Sequence, residues 1–66
     1  MLNEKKDMRF KMWLVENRVT QRSVARLLGI SNTAINRKIN GKEDFSIEQV
    51  RKICREYNVS ADQLFI

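Results

Sequence analysis

Residues 20–40 read TQRSVARLLGISNTAINRKIN, and the predicted fold follows mainly from this stretch. Its first half places Val24 and Leu28 on one face of a short helix, which Gly29 can end because glycine tolerates a left-handed backbone. A second helix can start at Ser31, a favourable N-cap residue. Two helices this short, with only Gly-Ile-Ser between them, cannot lie antiparallel and must cross steeply. We therefore predict a helix-turn-helix over about residues 20–40.

The second helix of this pair has one apolar side and one polar side. Ile35 and Ile39 lie four residues apart on the apolar side. Amide, hydroxyl and guanidinium groups point away from them, on Thr33, Asn36, Arg37 and Asn40. Such groups match the donors and acceptors on the edges of DNA bases. This face is therefore interpreted as a DNA-reading surface.

The composition is typical of a small globular protein. A chain of 66 residues is predicted to form one domain over residues 1–66, near the lower size limit for a self-supporting core. No apolar run approaches the roughly 20 residues of a membrane-spanning helix, and no signal peptide is visible. The single cysteine, Cys54, suits a reducing compartment. We therefore expect a cytoplasmic protein with no membrane partner.

The net charge of +5 is unevenly distributed along the chain. Residues 9–42 carry eight basic side chains and one acidic side chain, which gives this segment a charge of +7. The rest of the chain carries five basic and seven acidic side chains, or −2. A solvated charged surface would explain a basic protein but not this segregation. A polyanionic partner is the simplest explanation.

The same signal for a helix start occurs four times. An apolar residue precedes Ser or Thr, and a second apolar residue follows four positions after the hydroxyl, which is the hydrophobic staple around an N-cap. The four instances are Val19-Thr20…Val24, Ile30-Ser31…Ile35, Phe45-Ser46…Val50 and Val59-Ser60…Leu64. Gln49 and Gln63 complete possible capping boxes with the last two serines. Together with an opening helix over about residues 4–17, these starts predict five helices and an all-α fold.

The opening and fourth helices carry most of the other apolar residues. The opening helix carries two groups of apolar residues. One group consists of Phe10, Trp13 and Leu14, and the other of Met8, Met12 and Val15. One group should face the core, and the other could be a self-association surface, a contact for an N-terminal arm, or simply exposed. The fourth helix, over residues 47–57, is expected to turn a stripe toward the core that consists of Ile47, Val50, Ile53, Cys54 and Tyr57.

Residues that carry catalytic or metal chemistry are scarce. The chain has no histidine and one cysteine, which excludes an ordinary zinc site and histidine-dependent catalysis. Gly29 and Gly41 are interpreted as helix ends rather than parts of a phosphate loop. Glu43 and Asp44 are interpreted as a charged turn. We therefore expect no enzymatic activity, no catalytic residue, no metal and no cofactor.

With these elements in place, the chain resembles the lambda-repressor-like (XRE-type) helix-turn-helix family, most closely the small Cro and repressor proteins of temperate phages. The resemblance covers about residues 10–65 and rests on Gln21, Ala25, Gly29, Ile30, Ile35 and the Asn40-Gly41 pair. It implies a compact five-helix DNA-binding domain with the helix-turn-helix at helices 2 and 3.

The resemblance also implies a role for particular residues on double-stranded DNA. Gln21, which opens the second helix, is the main predicted contact to a DNA phosphate. The other predicted phosphate contacts are Arg22, Lys38, Asn40 and Lys42. Predicted contacts to base edges are Asn32, Thr33, Asn36 and Arg37, the arginine preferring guanine.

Two positions depart from the family pattern. Many relatives bury an arginine in the first helix against a glutamate near the end of the third, and the matching residues here are Leu14 and Ile39. Replacing both partners of a buried ion pair is often neutral, so we expect these two side chains to touch. Arg18 stands where relatives commonly have glycine, and Asn17 is expected to supply the left-handed residue instead.

The resemblance implies a transcriptional regulator that binds a palindromic operator as a homodimer and acts sterically. The dimer surface would lie near helices 4 and 5 or at the C-terminal Leu64-Phe65-Ile66, and the chain could also be part of a longer repressor. An antitoxin of a toxin–antitoxin pair is one alternative. A protein-interaction module on the same fold, which uses the exposed Met/Trp side of the first helix, is another.

Overall fold

A computed structural model describes the backbone of residues 2–65 and the side chains of residues 9–64. Within this range the chain forms five helices and no strand: α1 Leu2–Glu16, α2 Gln21–Leu28, α3 Asn32–Ile39, α4 Ile47–Tyr57 and α5 Ala61–Phe65. The predicted all-α fold is confirmed. The first helix begins two residues earlier and ends one residue earlier than the predicted 4–17.

The N-terminal signals in the sequence act as helix caps. Thr20 and Ser31 each accept a hydrogen bond from the backbone N–H three residues on, at 3.1 and 3.0 Å. Ser46 and Gln49 form the full capping box, with Ser46 Oγ accepting at 3.1 Å and Gln49 Oε1 accepting at 3.0 Å. At Ser60 the backbone N–H donates to the glutamine side chain three residues later, at 3.1 Å. These local bonds fix where each helix starts.

Helices α1 to α4 end in the same way, with one residue in the left-handed conformation. The residue after it donates its N–H to a carbonyl five positions back, at 2.9 to 3.1 Å, as in a Schellman motif. Glycine supplies the left-handed residue at Gly29 and Gly41, with φ of 70° and 77°, whereas Arg18 and Asn58 supply it with φ of 55° each.

The prediction that Asn17 supplies the first of these left-handed residues is wrong, because Arg18 does. The backbone N–H of Asn17 donates to the carbonyl of Trp13 at 3.0 Å, and its side-chain Nδ2 donates to the same oxygen at 2.9 Å. Asn17 therefore continues the hydrogen bonding of α1, and the reversal of the chain falls on the next residue.

Arg18→Gly is expected to raise the free energy of unfolding by about 1 kcal/mol, because glycine has no Cβ to oppose a positive φ. Asn58→Gly should give a smaller gain, since asparagine tolerates this conformation better than arginine does. Arg26→Gly, in the interior of α2, is the control and should cost about 1 kcal/mol. Urea unfolding of the three variants measures these changes. A loss of stability in Arg18→Gly would contradict the assignment.

Among the described side chains, nine apolar ones from all five helices form a single core cluster. They are Phe10, Leu14, Val24, Ala25, Leu28, Ile35, Ile39, Ile53 and Leu64. The ring of Phe10 stacks on that of Trp13 at 6.1 Å and meets Phe45 edge-on at 5.5 Å. The Phe10 and Leu14 side of α1 therefore faces the core, as one of the two predicted arrangements requires.

Leu14 and Ile39 are both buried in this cluster, with 5% and 0% exposure, and α1 packs against α3. Apolar side chains thus occupy both positions at which many lambda-repressor-like proteins carry an ion pair. Their direct contact remains a prediction.

Two expectations about apolar residues are wrong. Ile47 is 71% exposed rather than part of the core stripe of α4, because Phe45, the residue before the cap, packs on the core at this end of the helix. Leu64 is 1% exposed and belongs to the core, so it cannot form a dimer surface. The side chains of Phe65 and Ile66 lie outside the described residues, as does that of Met8.

Candidate nucleic-acid interface

The candidate interface is built on α2, α3 and the turn between them. These helices are joined by three residues, Gly29 to Ser31, and pack against each other. Their buried residues all lie on the sides that face the core, which leaves the N-terminus of α2 and one side of α3 open to solvent. This is the arrangement of a helix-turn-helix.

The four predicted base-reading residues share the open side of α3. All of them are exposed: Asn32, Thr33, Asn36 and Arg37. The fully buried Ile35 and Ile39 anchor the opposite side of the helix in the core, so its orientation is fixed by packing. The sequence pattern thus placed the polar face of this helix correctly.

Three of the predicted DNA-contacting amides are hydrogen-bonded in a row. Asn36 Nδ2 donates to Gln21 Oε1 at 3.4 Å, which links α3 to the first residue of α2. Asn40 Nδ2 donates to Asn36 Oδ1 at 3.1 Å and to the backbone carbonyl of Asn36 at 2.8 Å. The predicted phosphate residues Gln21 and Asn40 therefore form one connected surface with a predicted base-reading residue between them.

Arg37 is held by an acidic residue within the protein. Its Nε donates to Glu43 Oε1 at 2.8 Å, with about half of each side chain exposed. This hydrogen bond is the main cause that lowers the pKa of Glu43 from its ordinary value. The ion pair is therefore formed at neutral pH and is lost as the pH falls through the lowered pKa. Sequence reasoning missed this role of Glu43, for which the only signal was an acidic residue next to a basic helix.

Lys38 differs from the other predicted phosphate contacts because its side chain is only 11% exposed. Its ammonium group donates to the backbone carbonyl of Asp44 at 2.9 Å and lies 3.6 Å from Glu43 Oε2. It also lies 5.8 Å from the centre of the Phe45 ring. Lys38 therefore ties the segment after α3 to the helix. Arg22 and Lys42, by contrast, are exposed.

The described part of the chain offers little for metal or thiol chemistry. No group of three or more His, Cys, Asp or Glu residues there could hold a metal ion. Cys54 is half-buried, and burial raises the pKa of its thiol, which keeps the thiol protonated. No helix among the described residues is long and apolar enough to cross a membrane.

The described residues form a small all-α fold with a helix-turn-helix, whose exposed side carries amides and an arginine. The chain belongs to the BetR domain family, whose model matches residues 8–66. This range includes all of α2 to α5 and the second half of α1. The family match supports a small helical regulatory domain of the DNA-binding type. The chain has no match among curated proteins or solved structures.

Proposed function

We propose that the protein is a sequence-specific transcriptional regulator of the lambda-repressor-like kind, similar to phage Cro and repressor proteins. It would bind a palindromic operator in double-stranded DNA as a symmetric dimer, with α3 in the major groove and half-sites about one helical turn apart. The observation that carries the proposal is the connected surface of Gln21, Asn36 and Asn40 beside Arg37, within the segment of charge +7.

In this proposal Gln21 and the N-terminal amides of α2 bind a DNA phosphate. A helix N-terminus presents free N–H groups and the positive end of the helix dipole, both of which favour an anion. We refer to Gln21 and these amides as the phosphate clamp. The hydrogen bond from Asn36 to Gln21 would hold the phosphate clamp in a fixed position relative to α3. Arg22, Asn40 and Lys42 would add further phosphate contacts. Occupation of the operator would exclude polymerase or a competing regulator.

The salt dependence of binding tests the proposed DNA contacts. The affinity for duplex DNA, measured by fluorescence anisotropy, should fall linearly on a log–log plot against salt, with a slope of about 0.9 per phosphate contact. A slope that corresponds to several phosphates is expected. An affinity that does not change with salt would contradict the proposal.

The contact between Arg37 and Glu43 suggests how the arginine would read a base. Glu43 binds Nε, which leaves the two terminal Nη groups of Arg37 as a fork. Such a fork matches the O6 and N7 acceptors of guanine in the major groove. Glu43 is therefore proposed as a positioning residue that aims Arg37.

Glu43→Gln is expected to raise the affinity for non-specific DNA, because it removes a negative charge next to the interface. It should also lower the preference for guanine at the base pair that Arg37 reads. Asp44→Asn is the matched control, since it removes the same charge one residue further on without altering the bond to Arg37. Competition binding with single-base operator variants measures both effects. If the two variants retain the same base preference as the wild type, the positioning role is contradicted.

A protein-interaction module remains a second candidate, favoured by the exposure of Met12 and Val15 on α1. Such a module would keep its affinity for its protein partner when Arg37 is replaced, and it would bind DNA only through its charge. The DNA-reading proposal accounts for more of the surface. It implies a location at the bacterial nucleoid, and it predicts that the protein has no enzymatic activity and needs no cofactor.

A further inference from the structure

The outer side of α1 carries an apolar patch that the proposed DNA contacts do not use. Met12 and Val15 are 57% and 78% exposed, although α1 buries its other side in the core. Lys11 and Glu16 border them, and the four side chains line one shallow depression. We refer to Lys11, Met12, Val15 and Glu16 as the α1 patch. In the sequence, Met8 lies four residues before Met12 and so continues the helical spacing of Met12 and Val15.

The charges of the α1 patch fit a second copy of the same helix. Met12 and Val15 are three residues apart and can occupy positions a and d of a heptad, which places Lys11 at g and Glu16 at e. In a parallel pair of helices, the g residue of one helix faces the e residue five positions later on its partner. Lys11 and Glu16 are five positions apart and have opposite charges.

An antiparallel pair would bring like charges together. In that arrangement g faces g and e faces e, so Lys11 would approach Lys11 of the second copy, and Glu16 would approach its own counterpart. Like charges at these positions are unfavourable. The order of charges in the patch therefore selects the parallel orientation.

The position of the patch relative to α2 favours the same orientation. A groove beside the patch is lined by residues from α1 and from the start of α2, including Lys11, Val15 and Gln21. In a parallel pair the two-fold axis runs along α1, so the N-termini of both α2 helices lie at the same end of the dimer. Both proposed phosphate clamps could then approach one duplex. An antiparallel pair would place the two clamps at opposite ends of α1.

We propose that the α1 patch is the surface through which two copies of this chain pair, with their α1 helices parallel. The proposal rests on the proposed function, since it names the dimer surface that a palindromic operator requires. Four side chains from each copy form a contact well below the size of a standard stable interface. The free protein should therefore dimerise weakly, and binding to adjacent half-sites should strengthen the association.

Sedimentation equilibrium of Val15→Glu against Ile47→Glu tests the surface. Both residues are apolar and more than two-thirds exposed on helices, at 78% and 71%, and both changes add one negative charge. Val15→Glu should weaken self-association by about tenfold or more, because it places two carboxylates at the centre of the pair. Ile47→Glu should leave it near the wild-type value. Equal effects of the two variants would overturn the proposal, as would a wild type that stays monomeric to about 1 mM.

Charge exchange tests the orientation. Lys11→Glu and Glu16→Lys should each weaken self-association by about threefold, since each converts two attractive contacts into repulsive ones. The double variant restores opposite charges at the net charge of the wild type and should recover most of the loss. Single variants that associate like the wild type would overturn the parallel pairing.

DNA binding separates failure of this surface from failure of the proposed function. If Val15→Glu binds a selected palindrome with wild-type cooperativity, the surface is wrong and the function stands. If the wild type self-associates through the patch but shows no base preference, the function is wrong and the surface stands.

Discussion

Ile39→Glu is expected to abolish cooperative folding at 25 °C. The side chain of Ile39 is 0% exposed and lies in a cluster of apolar residues. A lone carboxylate at such a position costs about 4 kcal/mol or more, which is most of the stability expected of a domain this small. Leu14→Arg, at 5% exposure, should be nearly as damaging. Circular dichroism during urea titration measures both variants.

The double variant Leu14→Arg/Ile39→Glu should fold where each single variant fails. It would place a buried ion pair at these two positions, and the pairing should recover about 3–5 kcal/mol relative to either single variant, which is what stranding one partner of such a pair costs. Leu14→Arg/Ile53→Glu is the matched control, because Ile53 is equally buried but lies on α4. Rescue by Glu at 53, or no rescue by Glu at 39, would contradict the expected contact between Leu14 and Ile39.

Arg37→Ala is expected to lower the affinity for the preferred operator about 10- to 100-fold while changing non-specific binding much less. A bidentate contact from arginine to guanine contributes about 1–3 kcal/mol of discrimination at one base pair. Preference at that base pair should therefore disappear, and the other positions should keep theirs. Competition binding against operators with single-base changes measures this pattern.

Arg51→Ala is the control for the loss of charge. Arg51 is an exposed arginine on α4, outside the segment of charge +7. If the two variants weaken binding equally at every sequence, Arg37 acts only through its charge. The assignment of α3 as the reading helix would then be wrong.

The features that were predicted best from the sequence are those that depend on a few neighbouring residues. A hydroxyl flanked by apolar residues at fixed spacing marks a helix start regardless of the rest of the chain, and Thr20, Ser31 and Ser46 all act as N-caps. Helical spacing likewise identified the buried Ile35 and Ile39 and, by exclusion, the polar face opposite them. The predicted site residues of α3 are on one exposed side for this reason.

The features that escaped prediction depend on contacts between segments. The left-handed residue fell on Arg18 because the side chain of Asn17 bonds back to α1. Ile47 has the spacing of a core residue, but Phe45 packs on the core at that end of α4. The bond of Glu43 to Arg37 requires the turn after α3 to fold back along the helix. No local pattern in the sequence specifies such a geometry.

Selection of preferred sites from random duplex DNA is the most direct test of the central claim that α3 reads a specific sequence. We predict a palindrome with half-sites about one helical turn apart, bound with a salt dependence that corresponds to several phosphate contacts. Recovery of no common motif, with binding that still falls steeply as salt increases, would mean that charge alone attracts the protein to DNA. That result would contradict the assignment of α3 as a helix that reads a specific sequence.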